Sequence, residues 1–466
     1  MARNGRRRRS RAALPVALLV VALGGGYVAG DVYDVVPGVL TLQPERPPDP
    51  PFPSMQVPEA APIEVVGDLA DAAGPAAEAL ASLRRTLLAD PAVGSAGLLV
   101  TDVLTGEDLD AADAGSGHVP ASTTKLLTAT AAVAAAGADY RFTTSVVASG
   151  EGQIVLVGGG DLTLSAGVGD PGATVGRAGL ADLAEATAQA LSAAGTTRVR
   201  VGLDLSYYTG QDMAPRWDDI DLAAGDAMHM APLAIDIGRL DGVRARTTDP
   251  AGDAATAFVE ALTAAGVTVE GDVTSVTAPE GAAELAAVQS APLGDLVAYT
   301  LQHSENILAE GLGRLVAHEA DQEPSFAGAG LAVGAVLGDL GIDVGGLSLA
   351  DTSGLSSTNR IAPRTLVDSL LTIAERPELG SVARGLPVAG LEGTLSTRLE
   401  DPPAAGLVAA KTGTLRAVAS LSGFVTTADG KLLAFAVLVG DVPEGGIAAA
   451  RDAIDDWIAA IASCGC

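Results

Sequence analysis

The chain has 466 residues, a formal net charge of -29 at pH 7, 48% apolar residues and only 3% aromatic residues. This length predicts two or three domains, whose cores must be built mainly from Ala, Val and Leu. So acidic a surface argues against binding to nucleic acid or to an anionic membrane surface. Cysteine occurs only at Cys464 and Cys466, too close together to staple a domain, so no disulfide framework, metal site or cofactor is predicted.

The N-terminus combines a basic cluster with an apolar run. Six of the first eleven residues are arginine, and the apolar run that follows extends to Gly30. This pattern is typical both of a secretory signal peptide and of a single membrane anchor, and residues 1–30 fit either. Residues 31–64 are rich in proline and predict a semi-rigid linker. We therefore expect an exported protein that meets the membrane only through its N-terminal segment.

The first elements of the body lead to a nucleophile beside a base. A helix over about 68–90 and a strand over about 96–104 are predicted to precede a helix over 121–136, which carries Ser122 and Lys125. Residues three apart on a helix share one face, so these two side chains can reach each other within one turn.

Lysine is so scarce in this chain that its positions are informative. Lys125, Lys411 and Lys431 are the three lysines, and every other basic side chain apart from histidine is arginine. An arginine cannot be deprotonated in a protein, whereas a buried lysine can become a neutral base. We therefore predict that Lys125 is the base for Ser122. Lys431 adjoins the Asp429-Gly430 turn and is predicted to be a solvated charge at a sheet edge.

The middle of the chain has a different texture. Residues 146–287 contain short β-like runs, such as 153–157 and 197–201, broken by Gly and Asp and interrupted by helical stretches at about 179–194 and 251–265. This pattern predicts a mostly-β inserted region of one or two domains.

Helical texture then returns, and the chain closes on a hairpin and a helix. Helices are predicted from about 293, over 326–340, over 364–375 and over 448–462, and strands over 421–427 and 432–439. Residues 65–145 and 288–466 are predicted to form one catalytic domain, an α/β (α+β) sandwich whose antiparallel sheet is flanked by helices and split by the insertion.

Two further motifs follow the Ser122 and Lys125 pair. The first is Ser304-Glu305-Asn306, and the second is Lys411-Thr412-Gly413-Thr414. Each is weak alone, but the order S-x-x-K, S-x-N, K-T-G is the signature set of penicillin-recognising serine enzymes. The set also uses two of the three lysines.

The body of the chain resembles the peptidase S13 family of D-alanyl-D-alanine carboxypeptidases and endopeptidases, which are low-molecular-mass penicillin-binding proteins. The long insertion is similar to that family, and so are the stretches 158–161, 351–356 with Asn359, and 391–395. Glu305 departs from the family pattern, in which Asp is more usual, at a position with no assigned chemistry. The resemblance implies a serine DD-peptidase/β-lactamase-like fold.

The resemblance also implies a role for each motif residue. Ser122 would attack the D-Ala-D-Ala peptide bond while neutral Lys125 takes its proton, with a pKa lowered by burial and by the nearby Lys411. Backbone N–H groups of Ser122 and Thr414 would form the oxyanion hole. The other implied roles are proton relay by Ser304 with Lys411, orientation of Lys125 and substrate by Asn306, and binding of the terminal carboxylate by Thr412, Gly413 and Thr414.

These roles imply a serine D-Ala-D-Ala carboxypeptidase, with endopeptidase activity left open, that has peptidoglycan stem peptides ending in D-Ala-D-Ala as substrates and β-lactams as covalent inhibitors. One alternative is a β-lactamase, but the chain lacks the Glu-x-x-Leu-Asn stretch with which class A enzymes deacylate. Another is a non-catalytic penicillin-sensing or wall-binding module, which the intact motifs disfavour. His118 and His303 are interpreted as surface histidines, and Asp351 and Ser353 as parts of a turn joining a strand to a helix.

Overall fold

The computed structural model describes residue 72 and residues 74–464, which lie in one compact unit, 67–466. The predicted signal or anchor (1–30) and linker (31–64) lie outside the described residues. Within 74–464 no helix combines the length and the apolar composition needed to cross a bilayer.

The strands and helices below are numbered in chain order. The strands are β1 (Ser95–Asp102), β2 (Asp108–Ala112), β3 (Thr143–Ala148), β4 (Gln153–Val157), β5 (Asp161–Leu164), β6 (Arg198–Asp204), β7 (Leu233–Ile235), β8 (Thr268–Val269), β9 (Thr274–Ser275), β10 (Glu284–Gln289), β11 (Val408–Leu415), β12 (Val418–Thr426) and β13 (Leu432–Gly440). The helices are α1 (Ala77–Ala89), α2 (Thr124–Ala136), α3 (Leu180–Ala193), α4 (Asp219–Ala224), α5 (Pro250–Ala264), α6 (Leu293–His303), α7 (Asn306–Glu319), α8 (Phe326–Asp339), α9 (Pro363–Glu375), α10 (Gly380–Arg384) and α11 (Ile447–Ser463).

The main sheet is antiparallel throughout and has the order β11-β12-β13-β1-β2. Because side chains alternate between the faces of a strand, β1 sends Leu99 into one core and Leu98 and Val100 into another. Helices α2, α6, α7, α8 and α9 cover the first face, and α1 and α11 cover the second. The predicted sandwich of an antiparallel sheet flanked by helices is confirmed.

The inserted region has its own sheet and its own core. The sheet order is β10-β3-β4-β6-β8, and α3 and α5 pack against it through small and aliphatic residues. Strand β4 pairs with β6 in parallel, as does β6 with β8. The region is thus a mixed helix and strand layer rather than a mostly-β one, because the two predicted helices contribute much of its core.

A fourth cluster joins the insertion to the catalytic helices. Leu162, Trp217 and Met228 of the insertion pack with Ile307 of α7 and Phe326 of α8. The ring of Trp217 meets that of Phe326 edge-on, with their centroids 5.3 Å apart. Two of the few aromatic residues of the chain therefore pack the inserted region against these helices.

Most predicted element boundaries agree with the structure. The predicted helix over about 68–90 is not continuous, because residues 74–76 are not helical and α1 begins at Ala77; residues 68–71 and 73 lie outside the described part of the chain. Pro75 explains the non-helical backbone at Gly74, because proline disfavours helical conformation in the residue before it.

The prediction for Lys431 was wrong. Its side chain is buried, and its Nζ lies 2.6 Å from Asp102 Oδ2 at the end of β1. Strand β13 starts beside the end of β1, so the turn folds Lys431 onto the sheet. Burial alone would raise the pKa of Asp102, but the hydrogen bonds from Lys431 and from the N–H groups of Leu104 and Thr105 outweigh it and lower that pKa.

Candidate active site

Ser122 stands on a tight turn at the entrance to α2. Residues Ala121–Thr123 form a 3₁₀ turn, and Ala121 has φ +49°, a left-handed conformation that is uncommon for alanine. The Pro120 carbonyl holds this turn by accepting hydrogen bonds from Thr123 Oγ1 and Ser420 Oγ, both at 2.7 Å. Strain of this kind persists where the surroundings fix the backbone, and here it fixes the position of Ser122, the predicted nucleophile.

Lys125 is buried within hydrogen-bond reach of Ser122. Its Nζ lies 3.0 Å from Ser122 Oγ, 2.6 Å from Asn306 Oδ1 and 2.7 Å from the Ser353 carbonyl oxygen. The predicted nucleophile and base are therefore in contact, and Asn306 of the second motif touches the same nitrogen.

The pKa of Lys125 suits a base that works near neutral pH. Burial lowers it to about 8, although the charges of four carboxylates oppose the fall; these belong to Asp351, Glu310, Glu305 and Asp226. A lysine with this pKa is neutral in about 10% of molecules at pH 7, enough to accept a proton from a serine hydroxyl.

The second motif lies at the junction of α6 and α7. Ser304 ends α6 in a left-handed conformation with φ +54°, and Asn306 begins α7. The Asn306 amide has two different partners, since its Oδ1 accepts from Lys125 and its Nδ2 donates to the Asp226 carbonyl at 2.8 Å. Ser304 is half-buried, and its hydroxyl forms no hydrogen bond to another described residue.

The third motif lies on β11, beside the Ser122 turn. A Cβ on Gly413 would crowd the Pro120 carbonyl and the Ala121 side chain, so this strand passes directly against the turn. Lys411 is buried and donates to the Thr412 carbonyl at 2.8 Å. Burial, and then the charges of Lys125 and Arg398, hold the pKa of Lys411 well below its ordinary value.

Thr394, from the stretch 391–395 noted in the sequence, is a neighbour of this motif to which no role was assigned. Its Oγ1 lies 2.8 Å from the Thr412 Oγ1, and Thr412 in turn lies beside the Lys411 ammonium nitrogen. Thr414 is exposed at the open end of the motif. The strand therefore presents hydroxyl groups and a buried lysine next to the nucleophile.

The turn at 351–354 is part of the base site, although it was predicted only to join a strand to a helix. It supplies the Ser353 carbonyl that accepts from Lys125. The Asp351 carboxylate ties the turn together by accepting from the Gly354 N–H at 2.8 Å and from Trp217 Nε1 at 3.0 Å. The contact uses a backbone oxygen, which every residue type possesses, and so the sequence carried no sign of it.

Glu310 is a second buried carboxylate near Lys125, and the sequence motifs did not predict its position there. It accepts hydrogen bonds from the Ser353 N–H at 2.8 Å and from Thr352 Oγ1 at 2.9 Å. Burial, followed by the charge of Asp351, raises the pKa of Glu310 to about 7. Its spacing of four residues from Asn306 places both on one face of α7, which was the available sequence sign.

Neither histidine near a motif contacts Ser122. His118 is not a freely solvated surface residue: its side chain is largely buried and its Nε2 lies 3.1 Å from Asp113 Oδ2. His303 is exposed at the end of α6 and lies against the Tyr299 ring. Among residues 74–464, no three His, Cys, Asp or Glu side chains are grouped so that they could hold a metal ion.

A cavity of about 530 Å³ is lined by Val119, two residues before the Ser122 turn, and by Leu415, the residue after the third motif, but by none of the motif residues themselves. Val119, Leu355 and Leu415 contribute apolar surface to it, and Arg416 and Asp221 contribute charge. This volume lies in the range of pockets that bind small molecules.

The family model of the D-Ala-D-Ala carboxypeptidase 3 (S13) family matches residues 80–244 and 239–461. The chain belongs to the peptidase S13 family. Its members carry D-Ala-D-Ala carboxypeptidase activity in their family name, so this protein is a serine-type enzyme of that class. The S13 assignment made from the three motifs is confirmed.

Named relatives agree over most of the chain. A carboxypeptidase of Mycobacterium tuberculosis is 37% identical over 407 residues, which cover 85% of this chain and 86% of the relative. Carboxypeptidase DacB of Mycolicibacterium smegmatis is 37% identical over 436 residues, with 90% of each chain covered. Penicillin-binding protein 4 of Haemophilus influenzae has a similar fold, with a TM-score of 0.68 at 23% identity, covering 81% of this chain and 98% of that one.

Proposed function

We propose that this protein is an exported carboxypeptidase that removes the terminal D-alanine from peptidoglycan stem peptides, and that β-lactams acylate its Ser122. The observation that carries the proposal is the 3.0 Å contact between the Ser122 hydroxyl and the buried Lys125 amine. A serine at its ordinary pKa is a weak nucleophile, and a neutral amine in contact activates it.

Acylation proceeds from this contact. Ser122 Oγ attacks the carbonyl carbon of the penultimate D-alanine as Lys125 Nζ takes its proton. The backbone N–H groups of Ser122 and Thr414 stabilise the oxyanion, each worth about 3 kcal/mol in such sites. The C–N bond then breaks, the proton held by Lys125 passes by way of Ser304 to the leaving amine, and free D-alanine departs, leaving an ester on Ser122.

Deacylation reverses the roles. Water attacks the ester carbonyl and gives its proton to Lys125, which is neutral again after the first half-reaction. The ester C–O bond breaks, and Ser122 Oγ recovers a proton from Lys125. The products are a shortened stem peptide and the free enzyme.

Lys411 explains why the substrate should end in a carboxylate. Its amine is buried beside cations, and an incoming carboxylate supplies the negative charge that favours its ammonium form. Thr412 and Thr414 offer hydroxyl donors on the same strand.

A labelled penicillin tests the proposal by mass spectrometry. We expect a stable adduct on the peptide that contains Ser122, no adduct in Ser122→Ala, and release of D-alanine from a synthetic peptide ending in D-Ala-D-Ala. Rapid penicillin turnover without a trapped adduct would instead support a β-lactamase. The absence of both adduct and turnover would support a binding module.

Export is tested separately. Fractionation of cells that produce the full chain, followed by sequencing of the mature N-terminus, distinguishes the two interpretations of residues 1–30. A new N-terminus near residue 30 supports a cleaved signal, and an intact N-terminus in the membrane fraction supports an anchor. Recovery in the cytoplasm would contradict export.

A further inference from the structure

Two arginines of the inserted region reach the second catalytic motif. Arg239 and Arg246 are paired across an antiparallel bridge, and we call them the arginine clamp. Both donate to the Glu305 carboxylate, Arg239 Nη2 to Oε2 at 2.9 Å and Arg246 Nη2 to Oε1 at 2.7 Å. Glu305 is only 5% exposed and Arg246 10%, so their contact at the middle position of the Ser304-Glu305-Asn306 motif is desolvated, whereas Arg239 is 37% exposed.

Arg246 has the more central position of the two. Its Nε donates to the Gly225 carbonyl at 2.8 Å and its Nη1 to the Ile237 carbonyl at 2.6 Å, while Nη2 holds Glu305. All three nitrogens are used, and the side chain is 10% exposed. The planar guanidinium reaches three acceptors that lie apart from one another with three different nitrogens, whereas a lysine carries all of its donors on one nitrogen.

The clamp flanks the Asn306 amide on both sides. Glu305 precedes Asn306 in the chain, and Gly225 precedes Asp226, whose carbonyl accepts from Asn306 Nδ2 at 2.8 Å. Since an amide has distinct donor and acceptor ends, this bond turns its Oδ1 towards Lys125 Nζ, 2.6 Å away. Arg246 therefore binds Glu305, which precedes Asn306, and Gly225, which precedes the Asp226 carbonyl that accepts from Asn306.

The backbone under the clamp is strained, which supports a role beyond packing. Asp236, Ile237 and Gly238 have consecutive φ values of +44°, +56° and +71°. A left-handed conformation is unfavourable for a β-branched residue such as isoleucine, and it persists only when neighbouring contacts fix it. The hydrogen bond from Arg246 to the Ile237 carbonyl is one such contact.

We propose that Arg246 is a positioning residue for acyl transfer, which keeps the Asn306 amide oxygen directed at Lys125 by fixing Glu305 and the Gly225 and Asp226 backbone. Arg246 itself exchanges no proton and forms no bond to substrate. The inference rests on the proposed function, because its consequence is the rate at which Ser122 is acylated. It also makes the inserted region part of the catalytic framework.

The test compares acylation by a chromogenic β-lactam in rapid-mixing experiments. Misplacing a reacting group by about 1 Å can cost roughly 100-fold in rate, so Arg246→Met should lower the acylation rate constant by about 10- to 100-fold. The dissociation constant of the complex before acylation should change less than about threefold. The matched control is Arg198→Met, which removes one ion pair from the same region at a side chain that is 69% exposed, and it should acylate like the wild type.

A double-mutant cycle separates positioning from general damage. If Arg246 acts through Asn306, Arg246→Met should cost less than about threefold in an Asn306→Ala background. Arg246→Lys should fall between wild type and Arg246→Met, because it keeps the positive charge but has one donor nitrogen instead of three. Equal costs in both backgrounds, or an unaffected rate in Arg246→Met, would overturn the inference.

Folding is checked by circular dichroism and thermal unfolding. If Arg246→Met does not fold, Glu305→Gln, which keeps the side-chain shape and removes the charge that both arginines hold, enters the same cycle with the same expectation, measured at a pH above the Lys125 pKa because loss of the Glu305 charge itself lowers that pKa. A wild-type protein that no β-lactam acylates would overturn the proposed function instead, so the two failures are distinguishable.

Discussion

Lys125 and Lys411 are both completely buried, yet their surroundings differ. Lys125 lies among four carboxylates whose charges limit the effect of burial, and its pKa is lowered to about 8. Lys411 has the cations Lys125 and Arg398 as neighbours, and both act with burial to lower its pKa. Burial alone therefore does not predict the role of a buried lysine. Its charged neighbours also set its pKa, which decides whether it suits proton exchange or the binding of an anion.

Removing the ability to exchange a proton should have the largest effect. Lys125→Arg keeps a positive charge beside Ser122 but cannot act as a base, since arginine stays protonated. We expect the acylation rate constant to fall by roughly 10²- to 10⁴-fold, the usual contribution of general-base catalysis. Rapid mixing with a chromogenic β-lactam measures it, and a variant that acylates at the wild-type rate would contradict the assignment of the base.

Removing the anion receptor should have a smaller effect that depends on the substrate. Lys411→Ala should lower kcat/KM for a peptide ending in D-Ala-D-Ala by about 10- to 100-fold, because a charge-assisted hydrogen bond is worth about 1.5–3 kcal/mol. The same peptide with a C-terminal carboxamide should be cleaved slowly by the wild type and lose little further in the variant. If Lys411→Ala lowered kcat/KM equally for both peptides, Lys411 would not be the group that recognises the terminal carboxylate.

The carboxylates around Lys125 should set the pH dependence. The charges that face it belong to Asp351, Glu310, Glu305, Asp226 and Lys411. Acylation should rise with pH as Lys125 loses its proton, with an inflection near its pKa of about 8. Glu310→Gln removes one charge that raises this pKa, so the inflection should move to lower pH. A pH–rate profile measures it, and a move to higher pH would contradict the electrostatic reading.

Lys431 is the control for the substitutions of Lys125 and Lys411, because replacing it should change stability and not acylation. It pairs with Asp102 at 2.6 Å, on the sheet rather than in the active site. Lys431→Met should leave acylation unchanged and lower the unfolding free energy by about 1–3 kcal/mol, because Asp102 loses one partner but keeps its backbone donors.

The stability of this variant also has a defined pH dependence. Since the folded-state pKa of Asp102 lies below its ordinary value of 3.8, the contribution of the pair is fully present above that value and is lost as the pH falls through the folded-state pKa. Denaturant unfolding at neutral pH and at about pH 3 measures it. A difference between wild type and variant that does not shrink on acidification would contradict the pairing.

The sequence was most informative where side-chain chemistry carries the function. Ser122, Lys125, Asn306 and Lys411 are recognisable by type and spacing, and the structure places Ser122 Oγ and Asn306 Oδ1 3.0 Å and 2.6 Å from the Lys125 amine. The hairpin of β12 and β13 was also predictable, because alternating strands flank a clear turn signal. Local patterns are enough for such features.

Three features depended on tertiary contacts that no local pattern contains. Lys431 adjoins a turn and so was interpreted as solvated, but its distance from Asp102 along the chain hid the ion pair. Ser353 acts through a backbone oxygen. Glu305 was given no role because its partners, Arg239 and Arg246, belong to the inserted region, which had been interpreted as a separate unit.

The most direct test of the account uses the scarcity of lysine. Only three lysines occur in the chain, so protein labelled with ¹³C at the lysine ε-carbons should give three resolvable resonances, which Lys125→Arg and Lys411→Arg assign. We expect the Lys125 resonance to titrate near pH 8, and the Lys411 resonance to titrate well below the ordinary lysine value of 10.5 and to move to higher pH when a D-alanine-terminated ligand binds. A Lys125 resonance that titrates only above about pH 10, like a free lysine, would contradict the claim that this residue is the neutral base.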